Sequence, residues 1–144
     1  MYENISDLIK QIALGEDSVL ELKAVEFSGN KVIGPHKDGM ADELAAMANT
    51  ASGIIVLGVD DKTKEIQGIP TEKLDIVENW LRSICNDLID PPLDCVIRKL
   101  IVPAQQGGEK NILRIDVPRS LFVHKSPNGY FRRLGGSKRE MNPD

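Results

Sequence analysis

Ile5, Leu8, Ile9, Ile12 and Ala13 recur at offsets 0, 3, 4, 7 and 8, the spacing of one face of an amphipathic helix, and Gly15 supplies its left-handed stop. The pattern then changes period. Leu20 and Leu22 fall on one side of an alternating run from Val19 to Ala24, with Val19, Glu21 and Lys23 on the other, so a strand is predicted in which Glu21 and Lys23 stand side by side. Residues 28–39 are rich in Gly, Pro, Asn and Lys and predict an exposed loop or short hairpin. From about Asp38, Met40, Ala41, Leu44, Ala45, Met47 and Ala48 make a second helix, ending near Asn49, whose small residues permit close approach to a sheet.

Ser52-Gly53 leads into Ile54–Val59, a β-rich apolar run suited to a central strand buried on both faces. Asp60–Lys64 predicts a tight turn and Glu65–Ile69 the return strand of a hairpin. A third helix runs from Thr71, with Leu74, Val77, Trp80 or Leu81, Ile84 and Leu88 as its stripe and Pro91-Pro92 as its stop. The last third predicts strands over Cys95–Val102, Asn111–Val117 and Gly129–Arg133, with a turn at 105–108 and Leu113, Ile115 and Val117 sharing a face. Three helices alternating with five or six strands predict an α+β or mixed α/β fold, and α+β, a mixed sheet packed with helices, is the class expected.

Length and composition sharpen this picture. The chain has 144 residues, 41% hydrophobic and 28% charged, which suits a single domain over residues 1–144 and excludes disorder. No long apolar segment predicts a membrane span, and no basic-then-apolar leader opens the chain. Cys85 and Cys95 fall in different predicted elements, without the close pairing or histidine partners of a zinc site. A reduced, cytoplasmic protein is expected, with a disulfide between them as the alternative.

Charge is uneven. The formal net charge is −4, yet from Arg119 to Asp144 six basic residues face two acidic ones, a net of +4, leaving −8 on residues 1–118. An anion-binding surface is therefore expected near the C-terminal end, or else an ordinary basic tail. Within it, Arg132-Arg133 opens into a Gly-Gly-Ser-Lys-Arg stretch, read as a strand running into a flexible loop. Arg132, Arg133, Lys138 and Arg139 would clamp a nucleic-acid backbone there, with Tyr130 and Phe131 available for stacking.

Two other constellations bear on chemistry. Glu16, Glu21 and Asp60-Asp61 could converge to hold Mg²⁺ or Mn²⁺ and activate water, or could serve a loop and an ordinary turn. Asn49 and Thr50, before Ser52-Gly53, offer polar contacts to a phosphate, or simply close the helix. His36 and His124 are isolated and read as surface histidines, and no GxxxxGK[ST] phosphate loop occurs.

Three ordered blocks together resemble the Schlafen/AlbA-type domain. Residues 16–23 (EDSVLELK) are similar to its ESxxLEFK opening, with Asp17 inserted before the serine and Leu22 in place of phenylalanine. Residues 44–53 (LAAMANTASG), then Gly58-Val59-Asp60-Asp61 and Gly68-Ile69, resemble its AxANTxGGxLxxGVxDxxxxxG core, and VPRS at 117–120 with GYFRRLGGS at 129–137 resembles its VPxS…GxxYxRxGS close. The resemblance implies an α+β core likened to the archaeal chromatin protein Alba, and nucleic-acid binding. It also implies an N-terminal domain of a longer transcriptional regulator, often with a winged-helix region downstream, or a very short stand-alone member. Some animal members are metal-dependent ribonucleases using two glutamates five apart and an aspartate after the GV pair. By that resemblance Glu16, Glu21 and Asp61, or Asp60 in its place, would be metal ligands and catalytic residues, and a single lobe would need to form a homodimer.

The leading expectation is a DNA- or RNA-binding regulatory domain, not an enzyme, with Lys23, Asn49, Thr50, Arg132, Arg133, Lys138 and Arg139 at the interface. A Mg²⁺- or Mn²⁺-dependent endoribonuclease is the first alternative. A protein-interaction or ligand-sensing module is the second.

Overall fold

A computed structural model describes residues 1–141; Asp144, counted above in the C-terminal charge, lies outside the described residues. The elements run α1 (Ile5–Leu14), β1 (Leu20–Lys23), β2 (Glu26–Ser28), β3 (Lys31–Gly34), α2 (Lys37–Thr50), β4 (Gly53–Leu57), α3 (Leu74–Ser83), β5 (Val96–Pro103), β6 (Glu109–Val117), β7 (Lys125–Ser126), β8 (Gly129–Leu134) and β9 (Ser137–Glu140). The class is α+β, as expected. Its described strands divide into a mixed four-stranded sheet in the order β1-β4-β6-β5, the β2-β3 hairpin, and a small β7-β8-β9 sheet.

The main sheet is covered on both faces at its central strands β4 and β6, whose apolar residues alternate to both sides, while the edge strand β5 is largely exposed. Leu20, Leu22, Ile54, Val56 and Ile112 pack under Leu8 and Ile12 of α1, while Ile55, Leu57, Leu113, Ile115 and Val117 pack under α2 and α3. Asn4 caps α1 by accepting from the Asp7 N–H at 2.8 Å, and Gly15, at φ +96°, ends it with its N–H on Gln11 and Ile12 carbonyls. Gly53 admits the tight turn out of α2, since a Cβ there would lie 2.6 Å from Met47 Sδ. β1 runs parallel to β4 in the register Glu21 to Ile55 and Lys23 to Leu57, so both charged side chains fall on the α2 face at the edge of the sheet.

Three expectations are corrected. Glu65–Ile69 is no strand; it makes one bridge, Val59 to Ile66, because β1 and β6 already occupy both edges of β4. The third helix begins as a 3₁₀ turn at Thr71–Lys73 and finishes as a π-helical turn at Ile84–Leu88, before Pro91. The Gly-Gly-Ser-Lys-Arg stretch is no flexible loop: Gly135, at φ +58°, turns the chain directly into β9, which pairs along β8. No helix among the described residues is long and apolar enough to cross a membrane.

Candidate nucleic-acid interface

The small sheet is laid across α2 by polar side chains that the helix presents. Asn49 donates through Nδ2 to the carbonyls of His124 (3.0 Å) and Phe131 (2.8 Å), and its Oδ1 accepts from the His124 N–H (2.8 Å). Thr50 Oγ1 donates to Ala46 O and accepts from the Arg133 N–H, each at 2.7 Å. Asp42, almost wholly buried, accepts from the Asn128 side chain at 2.7 Å. Asn49 and Thr50 therefore spend their polar atoms on the fold. The ANT tripeptide is a backbone clamp that ties a distant sheet to the end of a helix.

Pleating then sorts the C-terminal cations. Because neighbouring residues in a strand point to opposite faces, Phe131 and Arg133 of β8 turn toward α2 while Tyr130 and Arg132 turn away. Lys138 lies opposite Arg133 and shares the inner face, and Arg139 lies opposite Arg132 and shares the outer one. β7 adds Lys125 opposite Tyr130.

The inner face is an ion-pair network. Arg133 is 3% exposed; its Nη2 donates to Glu21 Oε2 (2.8 Å) and to the carbonyls of Asp17 (2.8 Å) and Leu20 (3.3 Å), and its Nη1 reaches Glu43 at 3.4 Å. Lys23 Nζ holds the other oxygen of Glu21 at 3.1 Å. Lys138 lies 3.9 Å from Asp42 and 4.0 Å from Glu43, with its ammonium over the Phe131 ring. Burial pulls Glu21 upward, but the hydrogen bond with Glu16 and the charges of Lys23 and Arg133 outweigh it and hold its carboxyl below the usual range. Glu43 is pushed up by burial and by repulsion from Glu21.

Glu16 and Glu21 do meet. Glu16 Oε2 accepts from the Leu22 N–H at 2.9 Å, and its carboxyl shares a hydrogen bond with Glu21; partial burial and that bond raise Glu16 from 4.5 to about 7. Glu16 thus holds its proton well above the ordinary carboxylate range, while Glu21 is held below it. Asp61 is exposed in the turn after β4, and Asp60 spends Oδ1 on the N–H groups of Lys62 (2.8 Å) and Thr63 (2.9 Å). No three His, Cys, Asp or Glu side chains among the described residues are grouped so as to hold a metal ion. As arranged, the residues do not fit a divalent cation: both Glu21 oxygens are taken by cations and Asp61 does not join the pair.

The outer face is different. Lys125, Arg132 and Arg139 are exposed, Tyr130 is half-buried among them, and none of the three cations forms an ion pair among the described residues. Arg132 and Arg139 are direct cross-strand partners. The Arg119–Val123 segment leading into β7 is also exposed, with Leu121 98% and Phe122 69% accessible.

Lys125 was missed from the sequence because it precedes the cluster by several residues and joins it only through strand pairing. Asp42 and Glu43 were missed because acidic residues in a helix ordinarily face solvent. His124 is corrected from surface to interior: it is 3% exposed, with Nδ1 donating to the Pro91 carbonyl at 2.6 Å. His36 is exposed and caps α2 by accepting from the Asp38 N–H.

The fold is similar to the crystal structure of the DIP2311 protein from Corynebacterium diphtheriae, at 26% identity and a TM-score of 0.59. The match covers 87% of this chain but 22% of that one, so the chain corresponds to a fraction of the larger protein. The sequence matches the family described as Schlafen, AlbA_2 over residues 16–142, a span that includes the carboxylate pair, the Asn49-Thr50 clamp and all of β7–β9. The chain belongs to the Schlafen AlbA_2 family.

Proposed function

We propose that this domain binds nucleic acid through the outer face of β7–β9, with Lys125, Arg132 and Arg139 on phosphates and Tyr130 against a base or sugar. The observation that carries this reading is the Arg132–Arg139 pair. Like charges directly opposite across a ladder destabilise it, and here no carboxylate among the described residues neutralises them. A phosphate between the two guanidiniums would relieve the repulsion, and a half-buried tyrosine beside them offers a stacking surface. Lys23, Asn49, Thr50, Arg133 and Lys138 act behind this face, holding it against α2 and β1.

Domains of this family are often found in transcriptional regulators. The interface proposed here suits one that reads backbone rather than base edges, with other parts of a longer chain supplying sequence choice.

Labelled single-stranded DNA, double-stranded DNA and a structured RNA, each incubated with the protein at low salt with Mn²⁺ or chelator, test this on parallel native and denaturing gels. A retarded, intact probe is expected. RNA shortened only with Mn²⁺ would favour the ribonuclease reading and would require Glu21 to exchange its cation partners for the metal. Absence of both retardation and cleavage would favour a protein-interaction or ligand-sensing module.

A further inference from the structure

The cysteines lie in different elements, Cys85 in the π-helical turn after α3 and Cys95 just before β5, yet their sulfurs are in contact at 3.9 Å. Their backbones also approach, since the Leu93 N–H donates to the Cys85 carbonyl at 3.1 Å. Both are free thiols and both are buried. A cavity of about 50 Å³, lined by the two cysteines together with Arg82, Asn86 and Asp94, gives room for a molecule the size of water or peroxide.

The two thiols are not equivalent. The hydrogen bond shared with Cys95 holds Cys85 below its ordinary value, against burial; the Arg82 guanidinium, itself paired with Glu78 at 3.1 Å, assists, and Asp94 opposes. That same bond, and burial, push Cys95 up. Of the two sulfurs in contact, Cys85, beside Arg82, is thus the more acidic.

We propose that Cys85 and Cys95 form a peroxide-oxidisable dithiol, a modification site in which Cys85 attacks, Cys95 resolves, and an intrachain disulfide closes. The Cys85 thiolate attacks one oxygen of hydrogen peroxide: an S–O bond forms, the O–O bond breaks, and hydroxide leaves to take up a proton. Cys95 sulfur then attacks the sulfenic sulfur: the S–S bond forms, the S–O bond breaks, and the departing hydroxide leaves as water with the Cys95 proton. Two thiols are oxidised and one peroxide is reduced to two waters.

The ring so closed holds β7. Asp90 exchanges both backbone hydrogen bonds with Lys125, at 2.9 and 2.7 Å, and the Pro91 carbonyl accepts from His124. Oxidation therefore fastens the segment to which Lys125 of the outer face is bonded.

The reduced full chain, treated with an equivalent of hydrogen peroxide, denatured, alkylated with iodoacetamide and weighed intact and as peptides, tests the site. The expected product lacks a hydrogen pair, carries no alkyl group on either cysteine, and reverts with dithiothreitol. Cys95→Ser is expected to trap dimedone at Cys85, and Cys85→Ser to slow consumption of the Cys95 thiol by roughly tenfold or more. Wild-type protein that keeps two alkylatable cysteines, or gains oxygen on them without forming the disulfide, would overturn the proposal even if neither variant folds. Slower amide exchange at Asp90 and Lys125 after oxidation is expected, and unchanged exchange would overturn the link to β7.

Discussion

Arg132 and Arg133 are neighbours in one strand with opposite fates. Arg133 is sealed under α2 on two carbonyls and two carboxylates, whereas Arg132 stands in solvent facing another arginine. The same holds one strand over, where Lys138 turns in to Asp42 and Glu43 and Arg139 turns out. A cluster that reads as one basic patch in sequence is two surfaces in space. Cations of the inner face have their charge cancelled and act as structure; those of the outer face keep it and are available to a ligand. A tally of lysines and arginines cannot separate the two, but the two-residue period of a strand can.

This contrast can be broken most severely at Arg133. Arg133→Ala leaves Glu21 and Glu43 in a partly buried site without their shared partner, and a loss of about 3–5 kcal/mol is expected in urea unfolding. Asn49→Ala removes three hydrogen bonds that hold β7 and β8; about 2–3 kcal/mol should be lost, with β7–β9 amides exchanging faster than those of β4. Arg132→Ala with Arg139→Ala should leave stability within about 0.5 kcal/mol of wild type while weakening nucleic-acid binding.

The smallest effect concerns pH. Because Glu16 binds its proton more tightly folded than unfolded, its stabilising contribution is complete below about pH 4.5 and is lost as pH rises through about 7. Solvent screening at this half-covered carboxyl keeps the change under about 1 kcal/mol. Glu16→Gln should flatten that part of the stability curve, measured as unfolding midpoints from pH 5 to 8.

Sequence periodicity made much of the scaffold legible. Ile5 to Ala13 and Leu20 to Lys23 announce α1 and β1 through their 3.6- and 2-residue periods, and Ile54 to Leu57 announces a strand covered on both sides. Glu65–Ile69 misled because its composition suits a strand, while occupancy of both β4 edges is a tertiary fact. β9 was hidden because Gly135-Gly136 reads as flexibility until the chain is seen to turn there and pair. The adjacency of Glu21 and Lys23 was readable, being local. Their engagement by Arg133 was not, because that partner lies at the far end of the chain. A pairing of Cys85 with Cys95 was open from the sequence only as an alternative, because a π-helical turn and the residue before a strand share no period that would bring their side chains together.

Under the proposed function the outer face, not the basic cluster as a whole, meets the nucleic acid. Fluorescence anisotropy of a labelled duplex, titrated at a series of salt concentrations with wild type and the Arg132→Ala, Arg139→Ala double variant, tests it most directly. If the two arginines each neutralise a phosphate, the slope of log affinity against log salt becomes shallower by about two, with unfolding unchanged. Equal affinity and equal slope for the two proteins would contradict it.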